Sequence, residues 1–444
     1  GIINSIIKTA VVPPVLLAVA AVLCYLFIVR GMYALEDLPV KKIPRWSKIC
    51  IEVVMVVFFL HTVQVQGTEI GMWDYIQSVR ESSDFYEKEY VNPAKVKMTF
   101  PKEKKNLIYI FMESMESSYA DKEDGGTMDD NYIPNLTKLA RENVQFTDKK
   151  DGKVGGPVCL EATAYTAGGL VAQTSAINLK VMNSGAVSDS FLPNLTALGD
   201  ILNKQGYNQM FLCGSDGDFA GRDAYFKTHK DYQIEDYKAA IKEGDIPKDY
   251  KVYWGHEDKV LYERAKKNLK KLSKEGKPFN LTMLTVDTHF PNGYICDLCE
   301  NKYDTTYGNA VACADRQVYD FVQWIKKQDF YEDTTIIIAG DHTSMVDTGS
   351  KFWKSLSNDY QRTVYNAIIN PQCAYKKKVT TKRKFSTMDM FPTTLAALGV
   401  EIDGNKLGLG TNLFSGEETL REELGANYIN KELKRNDKMY NQFY

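Results

Sequence analysis

Four short and almost unbroken apolar runs punctuate the chain at wide intervals: Asn106–Met112 (NLIYIFM), Tyr207–Cys213 (YNQMFLC), Phe279–Val286 (FNLTMLTV) and Thr334–Ala339 (TTIIIA). Apolar side chains that do not alternate with polar ones suit a strand covered on both faces. The intervening stretches, among them Asp258–Leu272 and Cys313–Lys327, carry the helical apolar period instead. Strands alternating with helices predict an α/β fold, a mostly parallel sheet flanked by helices. In such sheets the functional groups gather beyond the carboxyl ends of the strands. Each run here ends in reactive side chains: Glu113 after the first, Gly214–Arg222 after the second, Asp287 and His289 after the third, Asp341 and His342 after the fourth.

At 444 residues the chain exceeds one ordinary domain. Residues 1–66 read as a transmembrane region with two helices. Ile6–Val29 is apolar apart from Lys8 and Thr9, and roughly 20 such residues cross a bilayer. Ile49–Val65 reads as a second, shorter span that carries Glu52 and His61. Arg30, Lys41, Lys42, Arg45 and Lys48 crowd the short loop between them, the charge bias of a cytoplasmic loop, which puts the remainder outside the cell or in the periplasm. A chain that starts on Gly1 and enters an apolar run at once reads as a piece of a longer membrane protein. Residues 67–105 read as a connector, 106–425 as the catalytic domain and 426–444 as a C-terminal tail.

An oxidising compartment makes disulfides plausible for the six cysteines beyond the membrane. Cys296 and Cys299 form a lone C-x-x-C, and the expected bridge joins Cys313 to one of them. Basic and acidic side chains nearly balance, 55 against 57, so no global field recruits nucleic acid and an anionic substrate must be met by local basic groups.

Asp341 and His342 leave the strand IIIAG side by side, where one oxygen and one nitrogen donor can grip a divalent cation. Glu113 offers a third ligand, while its neighbour Glu116 reads equally well as a helix-start carboxylate. The nucleophile comes from Cys159–Leu179, where Thr163 and Thr166 precede Gly168-Gly169 and a helix-like stretch. A hydroxyl at a helix start meets amide donors and the positive end of the dipole, a phosphate cradle.

The segments MESMESSY at Glu113, ATAYTAGGLVAQTSA at Thr166, GDFAGRDAYFKTH at Arg222 and IIIAGDHTSM at Asp341 together resemble the sulfatase-like branch of the alkaline phosphatase superfamily. The likeness, which extends to STMDMFPTTLAALG at Ser386–Gly399, is nearest to membrane phosphoglycerol transferases, with lipoteichoic acid synthases and phosphoethanolamine transferases more distant. It implies metal ligands at Glu113, Thr166, Asp341 and His342, with Thr166 also the nucleophile. It further implies a phosphate-holding Arg222 and a pocket-lining His289 able to serve as acid or base. The implied cofactor is a divalent metal, manganese favoured and zinc possible. The implied reaction moves phosphoglycerol from phosphatidylglycerol to a cell-surface or periplasmic glycan through a covalent threonine intermediate. Phosphoethanolamine transfer, lipoteichoic acid synthesis and phosphodiester hydrolysis are the competing activities. Cys213 and Ala220 stand where lipoteichoic acid synthases place His and Trp, which favours transfer of single groups over polymerisation.

Overall fold

The computed structural model describes residues 45–69, 73, 80–150, 152–180, 190–354, 356 and 359–444. The expected span at 6–29 lies outside them. The chain divides into two compact units, Gly1–Ser82 and Ser83–Tyr444.

In the first unit the run at 49–65 lies within the helix Arg45–Glu69. Among the described residues, however, no helix is long and apolar enough to cross a membrane. The polar His61, Gln64 and Gln66 interrupt the apolar stretch toward its C-terminal end. Val53, Val54, Val56, Val57, Phe58, Phe59 and Leu60 of this helix are 44–65% exposed.

The second unit is built on a six-stranded sheet. Its strands in chain order are β1 (Asn106–Met112), β2 (Asn208–Cys213), β3 (Gln233–Glu235), β4 (Phe279–Leu284), β5 (Thr334–Gly340) and β6 (Asn366–Ile369), arranged β3-β2-β4-β1-β5-β6. All pairings are parallel except β5 with β6, so the mostly parallel sheet expected from the apolar runs is present with one antiparallel edge. Side chains of β1 alternate between two cores. Leu107, Tyr109 and Phe111 pack with the helices Thr166–Ser175, Leu198–Lys204 and Met390–Ala397. Ile108, Ile110 and Met112 pack with Pro134–Glu142, Asp258–Leu272 and Thr306–Ile325. Burial on both faces is why the run shows no alternation.

Several boundaries differ from the expected ones. The third run leaves the sheet after Leu284, because the Val286 amide donates to Asp258 Oδ1 at 2.7 Å rather than to a neighbouring strand. The helix expected at 313–327 starts earlier, at Thr306, where the Thr305 side chain caps it by accepting from the Gly308 amide. The stretch 426–444, expected as a tail, is instead part of the core: Ile429, Leu433, Tyr440 and Phe443 are buried there. Phe85, Tyr86 and Tyr90 from the expected connector join the same cluster. Cys299 and Cys313 are bridged, as expected for Cys313 and one member of the C-x-x-C.

Candidate active site

The in-register parallel strands end together. Met112 pairs with Gly340, and Phe111 with Leu284, so the residues that follow emerge at one edge of the sheet. Three links tie these ends. The Glu113 amide donates to Thr285 Oγ1 at 2.9 Å, the Ser114 amide to Asp341 Oδ1 at 2.8 Å, and the Asp341 amide to the Met112 carbonyl at 3.2 Å.

Thr166 opens the helix Thr166–Ser175, with the extended Tyr165 as its cap residue. The helix backs directly onto Asp341: a Cβ on Gly169 would meet the Asp341 carbonyl oxygen at 2.2 Å. Gln173 fixes the approach by donating to the Gly340 carbonyl at 2.9 Å, while its own oxygen accepts from the Tyr109 hydroxyl. The Thr166 hydroxyl thereby lies 3.2 Å from Glu113 Oε2, to which it donates, and 3.4 Å from His342 Nε2. His342 Nε2 is 3.2 Å from Glu113 Oε1 and 3.5 Å from Asp341 Oδ2. Glu113, Asp341 and His342 are all buried, and their ligand atoms lie within 4.8 Å of one another. Thr166 is only half-buried.

Burial pushes the Asp341 carboxyl well above its ordinary range, and the neighbouring Glu113 charge adds to this. Burial acts in the same sense on Glu113, but the His342 imidazole outweighs it and brings Glu113 down to about 2. For His342 burial disfavours the cation, yet Asp341 and Glu113 together raise it to about 10. Two adjacent buried carboxylates thus demand positive charge between them, and Asp341 Oδ2, 3.5 Å from His342 Nε2, has no hydrogen-bond partner among the described residues. His342 Nδ1 donates to the Thr343 carbonyl at 2.8 Å, which points Nε2 at the carboxylates in the orientation a metal ligand needs. Two carboxylates, one imidazole and an adjacent hydroxyl fit a hard to borderline divalent cation.

The other residues singled out from the sequence sit as follows. Arg222 is buried and donates to Ser215 Oγ at 3.0 Å and to the carbonyls of Asp216 and Phe219, while Nη1 makes no hydrogen bond among the described residues. Its neighbour Asp223 pairs with Lys227, not with Arg222. His289 Nδ1 donates to the Phe290 carbonyl at 2.7 Å, so Nε2 takes no part in that bond. Glu116 does not join the cluster: its carboxylate accepts from the Ser344 amide, from Ser118 Oγ and from Arg362. Thr163 is buried and closes a turn with Leu160.

Of the other neighbours of the site, Asp287 was read in advance as a strand-end carboxylate, whereas Asp258 and Trp254 were not singled out. Asp258, the first residue of a helix with ordinary amphipathic spacing, accepts from the backbone amides of Val286 and Asp287. Asp287 is buried with neither carboxylate oxygen hydrogen-bonded among the described residues, and burial plus the Asp258 charge push it up to about 10. Trp254, whose ring is 4.9 Å from that of His289, gave no signal beyond its residue type.

The sulfatase family matches residues 105–400. Phosphoglycerol transferase I of Salmonella choleraesuis (strain SC-B67) is 33% identical over 340 residues, covering 74% of this chain and 41% of the relative. Phosphoglycerol transferase I of Shigella flexneri has the same identity and coverage. The chain therefore spans about two fifths of the length of the curated relatives it matches. Among solved structures, the lipoteichoic acid synthase LtaP from Listeria monocytogenes is 19% identical with a TM-score of 0.56, covering 72% of this chain and 79% of that one. An alkaline phosphatase superfamily protein from Vibrio parahaemolyticus is 21% identical with a TM-score of 0.52, covering 74% and 75%. These two share the fold. With the family match spanning the sheet and both strand ends that carry Glu113 and Asp341, the chain belongs to the sulfatase family.

Proposed function

We propose that the protein transfers phosphoglycerol from phosphatidylglycerol to a cell-surface or periplasmic glycan through a covalent intermediate on Thr166. The observation that carries this reading is the Thr166 hydroxyl at a helix start, 3.2 Å from Glu113 and 3.4 Å from His342. The identity to proteins named phosphoglycerol transferase I supports the choice of group.

In this reading Thr166 Oγ, oriented by the Glu113 carboxylate that accepts from it, attacks phosphorus in line and gives up its proton to water. The phosphorus–oxygen bond to diacylglycerol breaks, and His289 gives a proton to the departing oxygen. An acceptor hydroxyl then displaces Thr166, giving its own proton to His289 while the departing Thr166 oxygen regains a proton from water. Arg222, held by its own loop, turns its uncommitted Nη1 to a phosphoryl oxygen. A divalent cation held by Glu113, Asp341 and His342 beside Thr166 would neutralise phosphoryl charge and ease loss of the threonine proton; the oxygen-rich donor set favours manganese, with zinc possible.

Attachment to a membrane through residues 1–66, with the second unit outside the cell or in the periplasm, completes the proposal. The exposed apolar side chains of the Arg45–Glu69 helix support it, since large apolar patches on a surface mark an interaction site. Diacylglycerol release from phosphatidylglycerol and from phosphatidylethanolamine vesicles tests the donor. Faster release from phosphatidylglycerol is expected, and a preference for phosphatidylethanolamine overturns the choice of headgroup.

A further inference from the structure

Phe219 and Trp254 are large aromatic residues that remain 46% and 40% exposed. Their ring centroids lie 5.7 Å apart at an interplanar angle of 50°. Both rings touch residues of the proposed reaction: Trp254 lies 4.9 Å from the His289 ring, and the Arg222 guanidinium carbon lies 5.5 Å from the centre of Phe219. The aromatic surface is thus continuous with the groups assigned to phosphate and proton handling.

The backbone presents these rings rigidly. Val252 and Gly255 exchange hydrogen bonds of 2.8 and 2.9 Å across the turn that carries Trp254, and the His256 amide donates to the Gly214 carbonyl at 2.8 Å. This second link ties the turn to the loop that carries Phe219. Tyr253 adopts φ of 52°, a left-handed conformation that a side chain of its size rarely takes. Such geometry persists where the surrounding structure over-determines it, and it clusters at ligand sites.

The frame around the rings is polar. Lys238 bridges Asp216 and Asp218 beside Phe219, and the Tyr253 hydroxyl donates to backbone carbonyls of the 289–290 turn. An acyl chain would call for continuous aliphatic walls. A sugar ring instead offers a C–H face to an aromatic ring and hydroxyls to the polar groups around it, which is what isolated aromatic faces in a polar rim accommodate.

We propose that Phe219 and Trp254 form the acceptor subsite, a shelf on which one sugar ring of the glycan stacks so that a hydroxyl reaches His289. This rests on the glycan-transfer reading above and names where the acceptor binds. Two measurements separate the proposals. Label left on Thr166 by phosphatidylglycerol without acceptor reads the first half-reaction, and so the transfer reading. Quenching of tryptophan fluorescence by neutral hexose and deoxyhexose oligosaccharides reads the shelf without turnover.

In the wild type at least one oligosaccharide should quench saturably, and Trp254→Ala and Phe219→Ala should each raise its KM as acceptor about tenfold, the loss expected of one aromatic anchor. The KM for phosphatidylglycerol should move far less, and Trp254→Phe should restore most acceptor affinity. No quenching by any oligosaccharide in the wild type overturns the shelf. So does a rise in the donor KM with the acceptor KM unchanged, which would assign the rings to the lipid chains.

Discussion

Gly169→Ala tests the packing that brings the proposed nucleophile to the strand end. The added Cβ would lie 2.2 Å from the Asp341 carbonyl oxygen, whereas ordinary van der Waals contact begins at 3.4 Å, so helix or strand must recede by about 1.2 Å. The obstacle is backbone, which cannot swing aside as a flexible side chain would. Overpacking of this kind costs about 1–3 kcal/mol, partly offset by about 0.5–1 kcal/mol from replacing glycine inside a helix. A net loss of about 1 kcal/mol is small for a unit of this size. The effect on turnover is larger: an ångström of misplacement at a reacting group costs about a hundredfold in rate. Thermal unfolding, isothermal titration with manganese and diacylglycerol release from phosphatidylglycerol measure the three quantities. The expected variant is folded, binds the cation more weakly and turns over about a hundredfold more slowly. Wild-type turnover and cation affinity in Gly169→Ala would refute the reasoning.

Two further predictions concern buried charge. The Asp287 carboxyl has a folded-state pKa of about 10 against 3.8 for the ordinary group, so its stabilising proton is lost from the unfolded chain first, and stability falls as pH rises between those values. Asp287→Asn should remove this slope, at most about 1.4 kcal/mol per pH unit, in denaturant titrations between pH 5 and 8; parallel slopes in variant and wild type would contradict it. Glu116→Gln should weaken the pairing with Arg362 and lower stability by about 3 kcal/mol, because it leaves Arg362 without its counter-charge. The same variant should retain cation affinity by titration, whereas Glu113→Gln should lose it; a reversed pattern would move Glu116 into the metal site.

The central strands were legible because burial on both faces writes them as unbroken apolar runs, and their shared ends follow from parallel pairing. Glu113, Asp341 and His342 could be read in advance as single residues at those ends. What the sequence does not display is pairing over distance. Glu116 lies three residues from Glu113 and has the same side chain, yet Arg362, 246 residues away, claims its carboxylate. The edge strands β3 and β6 have only three and four residues, too few to show a pattern above that of a loop. The 426–444 stretch has sparse apolar residues whose partners are distant in sequence, which is why it reads as a tail although Ile429 and Leu433 are buried in the core. Arg222 was identifiable as a cation, but not its ties to Ser215, Asp216 and Phe219, since these depend on how the 214–222 loop folds back.

Intact-mass analysis after incubation with phosphatidylglycerol and manganese, without acceptor, tests the central claim most directly. The account predicts a mass increase of one phosphoglycerol group, mapped to Thr166 by fragmentation, absent in Thr166→Ala and discharged on adding a glycan acceptor. Diacylglycerol release at an undiminished rate in Thr166→Ala, or an adduct mapped to another residue such as Thr163, would contradict it.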